Sequence, residues 1–338
     1  HIFEPVVTCS IEAKKPTDLP KLIEVLRVVA KEDPTIKVEI NEETGQHLLH
    51  GMGELHLEVV TNRIKTEKGV DVVRGNPIVV YREVPTKKSA IMQGRSPNKH
   101  NDFFIFAEPL EDAVVEAIKN GEIKEGKIKK RDEQLFNKLS ALGIDHDEIR
   151  QYREIYKGCV FQDRTRGIVA IGEVIEMVMQ AFEQVVNEGI LAKEPCHKLK
   201  VCLVDARLHE DAIHRGPSQV IPAVRHAIHE ALKDAGMILY EPIQIIQVDT
   251  PMRFIGDVTA ILQSKRGQIL NVEQEGDFAS IRVKVPVSEM FTLSNDLRGA
   301  SEGRANFYLV DQFFEPVPKD LQQRLIKQIR ERKGLKEE

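Results

Sequence analysis

The side chains best suited to chemistry crowd into one stretch, His209-Glu210-Asp211-Ala212-Ile213-His214-Arg215-Gly216, with two imidazoles, two carboxylates and a guanidinium. Two histidines around a glutamate are how zinc hydrolases hold their metal, provided the imidazoles stand four residues apart on one helix face. Here they stand five apart, about 140° around a helix, so a helix would not aim both at one ion. His226 and His229 would share a helix face, but no third ligand accompanies them and a solvated face is the favoured account. Gly121-Glu122-Ile123-Lys124-Glu125-Gly126-Lys127-Ile128 has the spacing of a phosphate loop. Ile128 stands where a hydroxyl must ligate magnesium, the segment follows a helical pattern, and Glu122 and Glu125 would repel phosphates. Gly51-Met52-Gly53-Glu54-Leu55-His56 begins like a dinucleotide fingerprint, yet His56 occupies the third glycine's place, so it reads as a turn into a helix.

The elements flanking the histidine stretch decide how it is presented. Lys198 to Leu208 reads as a strand, and a helix follows with Ser218 as its N-cap and Pro222 within about its first turn. Gly216 and Pro217 restrict the connecting loop, so His214 and Arg215 are expected to project from a fixed tip. Other strands of this middle region are expected at Ile78 to Arg82 and Phe103 to Ala107. Helices with one apolar face are expected at Glu173 to Val186 and after Ser218, and Lys129 to Tyr156 reads as an insertion.

On either side the apolar period switches repeatedly between two and 3.6 residues. Val7, Cys9 and Ile11 mark a strand; Leu19, Leu22, Ile23, Leu26 and Val29 mark a helix capped by Thr17 or Asp18. Lys37 to Ile40 and His47 to Met52 are strands, Glu54 to Lys68 a helix stopped by Gly69, and Val70 to Val73 a strand. The order βαββαβ recurs with Ile243 to Val248, Met252 to Ser264, Ile269 to Val272, Ile281 to Val287, Glu289 to Arg298 and Phe307 to Val310. This is the split unit of ferredoxin-like folds. A last helix, Asp320 to Arg332, is expected to dock on the domain before it, with a basic face that is either solvated or touches RNA.

With 338 residues the chain has room for roughly two to three compact units. No apolar run nears the ~20 residues of a membrane span, and His1-Ile2-Phe3-Glu4-Pro5 is neither secretory nor transit signal; without an initiator Met it reads as cut from something longer. Cys9, Cys159, Cys196 and Cys202 form no CxxC pair and are expected as free thiols of a cytoplasmic protein. The net charge of −5 leaves nucleic-acid binding to local basic patches.

Val204-Asp205-Ala206-Arg207-Leu208-His209-Glu210-Asp211-Ala212-Ile213-His214-Arg215-Gly216 resembles the tip of domain IV in the elongation factor 2 family of archaea and eukaryotes. Ser96-Pro97-Asn98-Lys99-His100-Asn101 resembles the second tip loop of that domain. Glu42-Glu43-Thr44-Gly45 with Gly51 to His56 resembles its domain III, and Gly256-Asp257-Val258 with Lys265-Arg266-Gly267-Gln268 its domain V. The similarity runs along nearly the whole chain. Gly216-Pro217-Ser218-Gln219 departs from the glycine triplet of the eukaryotic form, which favours an archaeal source; bacterial elongation factor G shares the architecture without the modifiable histidine.

The resemblance implies an α+β chain: ferredoxin-like domains at 1–76 and 241–338, flanking a larger α/β domain at 77–240 similar to the ribosomal protein S5 domain 2-like fold. It implies that His214 is the diphthamide histidine and that Ser96, Pro97, Asn98, Lys99, His100, Asn101, His209, Asp211, Arg215 and Gly216 form a tip contacting the ribosome. Lys87 and Lys88 are further candidate cations for RNA. The partners it implies are ribosomal RNA in the decoding region, tRNA, mRNA, the diphthamide-synthesis enzymes and an N-terminal GTPase domain of the same protein. That domain would hold GTP and Mg, leaving this chain neither cofactor nor catalytic residues. The rival readings are a spliceosomal relative built on the same domains and an independent nucleotide-binding enzyme using the Gly121 to Lys127 loop.

Overall fold

A computed structural model describes residues 3–336, so His1 and Ile2, the start of the segment read as neither secretory nor transit signal, lie outside the described residues. The chain divides into two compact units: His1–Val80 with Glu241–Glu315, and Tyr81–Tyr240 with Pro316–Glu338. It is a mixed α+β protein, with three sheets among the described residues.

In the first segment, strands β1 (Val7–Ala13), β2 (Lys37–Glu39), β3 (His47–Gly51), β4 (Val72–Arg74) and β5 (Ile78–Val79) alternate with helices α1 (Leu19–Glu32) and α2 (Glu54–Thr66). The sheet order is β2-β3-β1-β4, with β5 also pairing β1, and these pairings are antiparallel. Register places Cys9 opposite Leu49 and Ile11 opposite His47, so residues buried by the two-residue period share one face. Leu22, Val25, Leu26 and Val29 bury one stripe of α1, and Leu57, Val60 and Ile64 one stripe of α2. The Gly51-Met52-Gly53 turn is stapled by His56: its Nδ1 accepts from Met52 N at 3.1 Å and its Nε2 lies 3.0 Å from Asp33 Oδ2.

The second unit contains β6 (Arg82–Val84), β7 (Met92–Arg95), β8 (Asp102–Pro109), α3 (Asp112–Lys119), β9 (Gly126–Lys127), α4 (Glu133–Ala141), α5 (His146–Gln151), β10 (Tyr152–Tyr156), β11 (Cys159–Asp163), α6 (Ile171–Asn187), β12 (Leu199–Arg207) and α7 (Pro217–Asp234). Its sheet runs β7-β8-β12-β11-β10-β9, and β11 and β12 are parallel. Alternation along the strands serves two cores. Phe103, Ile105, Phe161, Val201 and Leu203 pack with α6 and α7, whereas Val160, Tyr152 and Ile155 pack with α3, α4 and α5. The expected insertion therefore helps to build a second core on the other face of the same sheet. On that side Lys200, 2% exposed in its side chain, lies 2.6 Å from Glu111 and 2.5 Å from Glu148. The start of α7 differs from expectation: Gly216 precedes it and Pro217 opens it, so Ser218 is inside the first turn and Pro222 inside the helix. Proline favours the first helical position because its missing N–H has no partner there anyway.

The last segment is β13 (Ile238–Pro251), α8 (Ile255–Ser264), β14 (Gln268–Glu275), β15 (Phe278–Pro286), α9 (Leu293–Ala300), β16 (Asn306–Pro316) and α10 (Gln322–Arg332). The order β14-β15-β13-β16 repeats that of the first sheet, over a core of Ile246, Val248, Val258, Leu262, Ile281, Val283 and Leu297. Helix α10, expected with residues 241–338, belongs instead to the second unit. Its Arg330 donates to Leu191 O at 3.0 Å, Lys333 to Ala192 O at 2.8 Å, and buried Gln322 brackets the Leu239 peptide. Its cations satisfy carbonyls of a loop, a use of a basic face that periodicity does not reveal. All four cysteines are buried free thiols, and no helix among the described residues is long and apolar enough to cross a membrane.

Candidate functional site

The two histidine-bearing loops meet although more than a hundred residues separate them. The first turns β7 into β8 through Ser96 to Asn101: Lys99 N donates to Ser96 O at 2.8 Å, and Lys99 takes a left-handed φ of 63°. Gly94 lets this hairpin lie against α7, since a Cβ there would stand 1.9 Å from Ala223 O. The second loop leaves β12 and enters α7. Asp211 Oδ1 accepts from Ile213 N at 3.1 Å and shapes a 3-10 turn over Ala212–His214.

Two asparagines join the loops. Asn101, fully buried, accepts from His209 N at 3.0 Å and donates to His214 O at 2.8 Å. Asn98 donates from its side chain to the same carbonyl at 3.0 Å, and its backbone N–H reaches Gln219 Oε1 at 2.8 Å. Ser96 Oγ in turn accepts from Asn101 N at 3.0 Å. The side chains of Ser96, Asn98 and Asn101 are thereby paired, which is the condition for such a network to hold one shape. Beside it Arg95 lies 2.9 Å from Asp102, and that hydrogen bond holds the Asp102 carboxyl below its ordinary range.

On this frame three imidazoles converge. Ring centroids of His209 and His214 are 4.4 Å apart, and His100 lies 4.8 Å from each. His209 and His214 come together because their segment is a loop with one 3-10 turn; the 140° separation applies to a regular helix. Among the described residues, no group of three or more His, Cys, Asp or Glu is placed to hold a metal ion. His209 Nδ1 accepts from Asp211 N at 3.0 Å, so a neutral His209 carries its proton on Nε2.

The site residues expected from sequence divide by exposure. Pro97, Lys99, His100 and Asp211 are exposed, and Asn98, His209, His214 and Gly216 are partly so. Ser96 and Asn101 are buried and act as struts. Arg215 does not project: it is buried, with Nη2 2.9 Å from Glu173 Oε2 at the start of α6. Lys87 is not at the tip, and Lys88 Nζ lies over the Phe106 ring, 4.5 Å from its centroid, a ring that Arg164 also approaches, at 5.2 Å. Lys87 N donates to Ala235 O, just past the far end of α7, an 18-residue helix spanning roughly 27 Å. Glu173 was legible only as the start of a helix, because nothing local marks its proximity to residue 215.

The Gly121 to Lys127 stretch runs from the end of α3 through the two-residue strand β9, and Lys127 Nζ donates to Glu176 Oε2 at 2.9 Å. A phosphate loop needs a strand before it and a helix after it, with the lysine free for phosphate. These residues do not fit a nucleotide.

Three domain descriptions match the chain: Elongation Factor G, domain III, at residues 2–76; Elongation factor G, domain IV, at 117–236; and Elongation factor G C-terminus at 238–325. Elongation factor 2 of Nanoarchaeum equitans is 54% identical over 339 residues, covering 99% of this chain and 46% of that protein. Those of Methanocaldococcus jannaschii and Thermococcus onnurineus are each 50% identical, again over 99% of this chain and 47% and 46% of theirs. The chain spans about half the length of these relatives. With three successive domain matches and half of all positions shared along its full length, the chain belongs to the elongation factor 2 family.

Proposed function

We propose that this chain is the ribosome- and tRNA-contacting part of an elongation factor 2, acting in GTP-dependent translocation of tRNA and mRNA. In this reading the end of the second unit bearing His100, His209 and His214 enters the decoding region. The observation that carries it is the double clamp by Asn98 and Asn101 on the His214 carbonyl. A probe that holds its place against moving RNA needs a loop whose shape survives load, and buried paired polar groups provide one. Lys99 supplies a cation for phosphates, and the imidazoles supply flat rings for unstacked bases.

The repeated strand order supports reading the outer domains as ferredoxin-like. The mixed sheet with α6 and α7 on one face supports the S5 domain 2-like reading of the middle one. GTP and magnesium belong, in this proposal, to an N-terminal GTPase domain outside these residues, consistent with relatives about twice as long. His214 would be converted to diphthamide by the cytoplasmic synthesis enzymes of the host; its partly exposed ring, on a loop held from behind, supports that access.

Equilibrium binding of the chain to archaeal small ribosomal subunits tests the reading. Lys99→Gln combined with His214→Ala should weaken binding by about tenfold or more, the worth of one phosphate contact plus one stacked base. Unchanged affinity would remove the basis of the proposal.

A further inference from the structure

We propose that a third loop, residues 164–170 between β11 and α6, completes the RNA-facing end of the second unit, with Val169 and Ile213 packing against base and ribose faces. The inference rests on the reading of the tip as RNA-facing and extends it to a segment outside both histidine loops. Val169 is 87% exposed and Ile213 78%, the two most exposed large hydrophobic side chains among the described residues. Aliphatic side chains so far out of the core lose favourable burial unless something covers them.

Their loops share one edge of the sheet. Strands β11 and β12 run parallel, so the chain leaves both at the same end, and Arg164 N donates to Leu203 O at 2.9 Å where they part. Connections leaving the carboxyl ends of adjacent parallel strands are where open α/β sheets bind ligands. The Arg215–Glu173 ion pair at 2.9 Å then ties the second loop to the first turn of α6, into which the third loop leads, two residues after Ile213 and four after Val169.

The third loop is built to hold Val169 outward. Thr165 N donates to Asp163 Oδ1 at 2.8 Å, Ile168 N donates to Thr165 O at 3.1 Å, and Ile168 packs against the core. Ala170 takes a left-handed φ of 69°, which costs an alanine roughly 1 kcal/mol and turns the chain between Val169 and α6.

The surroundings favour RNA over a protein or a bilayer. Arg164 and Arg166 are exposed on the loop, anchored to Gln151 Oε1 and Arg150 O at 2.9 and 2.7 Å. Helices α6 and α7 both begin here without side-chain caps, adding two positive dipole ends. Of the carboxylates in these loops, Glu173 is neutralised by Arg215, leaving Glu210 and Asp211, whose Oδ1 accepts from Ile213 N, against Arg164, Arg166 and Lys99. Two exposed aliphatic side chains on loops that also carry cations and imidazoles suit a polyanion whose bases offer apolar faces.

Binding of the chain to small ribosomal subunits across a salt series tests this. Val169→Ser should weaken binding about tenfold, as expected for one aliphatic contact, with the slope of log affinity on log salt unchanged because no phosphate contact is lost. Ile91→Ser, another exposed aliphatic, beside Asp234 at the far end of α7, should change nothing, and the thermal melts of both should match the parent. If Val169→Ser binds like the parent while Lys99→Gln with His214→Ala does not, the third loop is refuted and the tip reading stands. If none of these variants alters binding, both readings fall. A photoreactive residue at 169 should cross-link to RNA; cross-links to ribosomal protein alone would overturn the assignment of RNA as the partner.

Discussion

At the scale of single residues, the tip separates exposed side chains from those that hold them in place. Asn101 and His214 stand side by side, yet burial sends the asparagine inward to pair two loops and leaves the imidazole accessible. Arg215 shows the reverse of expectation: a guanidinium at a loop tip is ordinarily a probe, and here it bridges to Glu173. This accessibility bears on modification. The tip peptide from the native host should carry added mass at His214 by mass spectrometry, whereas the same peptide from a bacterial expression host should not. Equal, unmodified masses would count against the diphthamide assignment.

At the scale of elements, the hairpin β7–β8 and helix α7 act as one piece because Gly94 allows their backbones to touch. A Cβ at residue 94 would meet Ala223 O at 1.9 Å and Ala227 Cβ at 2.9 Å, and no rotamer change relieves a clash with backbone. Gly94→Ala should therefore lower stability by roughly 2 to 3 kcal/mol, as overpacking does, read as a reduced urea midpoint with little change in slope. A midpoint equal to the parent's would mean that the hairpin does not bear on the helix. The hairpin's sequence motif was legible, but its seat on α7 was not, since a lone glycine in a strand has several readings.

At the scale of the whole molecule, two buried titrating groups face each other's backbone in the second unit, where His197 N donates to Glu83 O at 3.0 Å. Burial pushes the Glu83 carboxyl up to about 7, against the pull of backbone N–H groups of Leu191, Ala192 and Glu194. Burial, aided by Arg82, Lys198 and Lys119, pushes His197 down to about 2. Between the ordinary values of 4.5 and 6.5, native Glu83 holds a proton that the unfolded chain has released, so its contribution to stability falls as pH rises. Over the same window native His197 lacks a proton that the unfolded chain holds, so its contribution rises with pH. The two slopes oppose and nearly cancel. His197→Gln should unmask the Glu83 slope, with unfolding free energy dropping by about 1.4 kcal/mol per pH unit relative to the parent across that window. Urea titrations at several pH values check this, and parallel curves for both proteins would refute it.

The amino-acid sequence by itself determined the kind and order of most elements, because helix and strand periods are local and each apolar stripe needs only its own residues. It also carried the two tip motifs, since Ser96 to Asn101 and His209 to Gly216 are contiguous. Tertiary structure alone decided that these segments meet, that Arg215 turns inward, that Lys87 stands at the far end of α7, that α10 belongs with Tyr81–Tyr240, and that residues 164–170 share the tip. The physical reason is range: the bond from Asn101 to His214 spans 113 positions, and its geometry depends on how two cores on opposite faces of one sheet set the register of every loop between them.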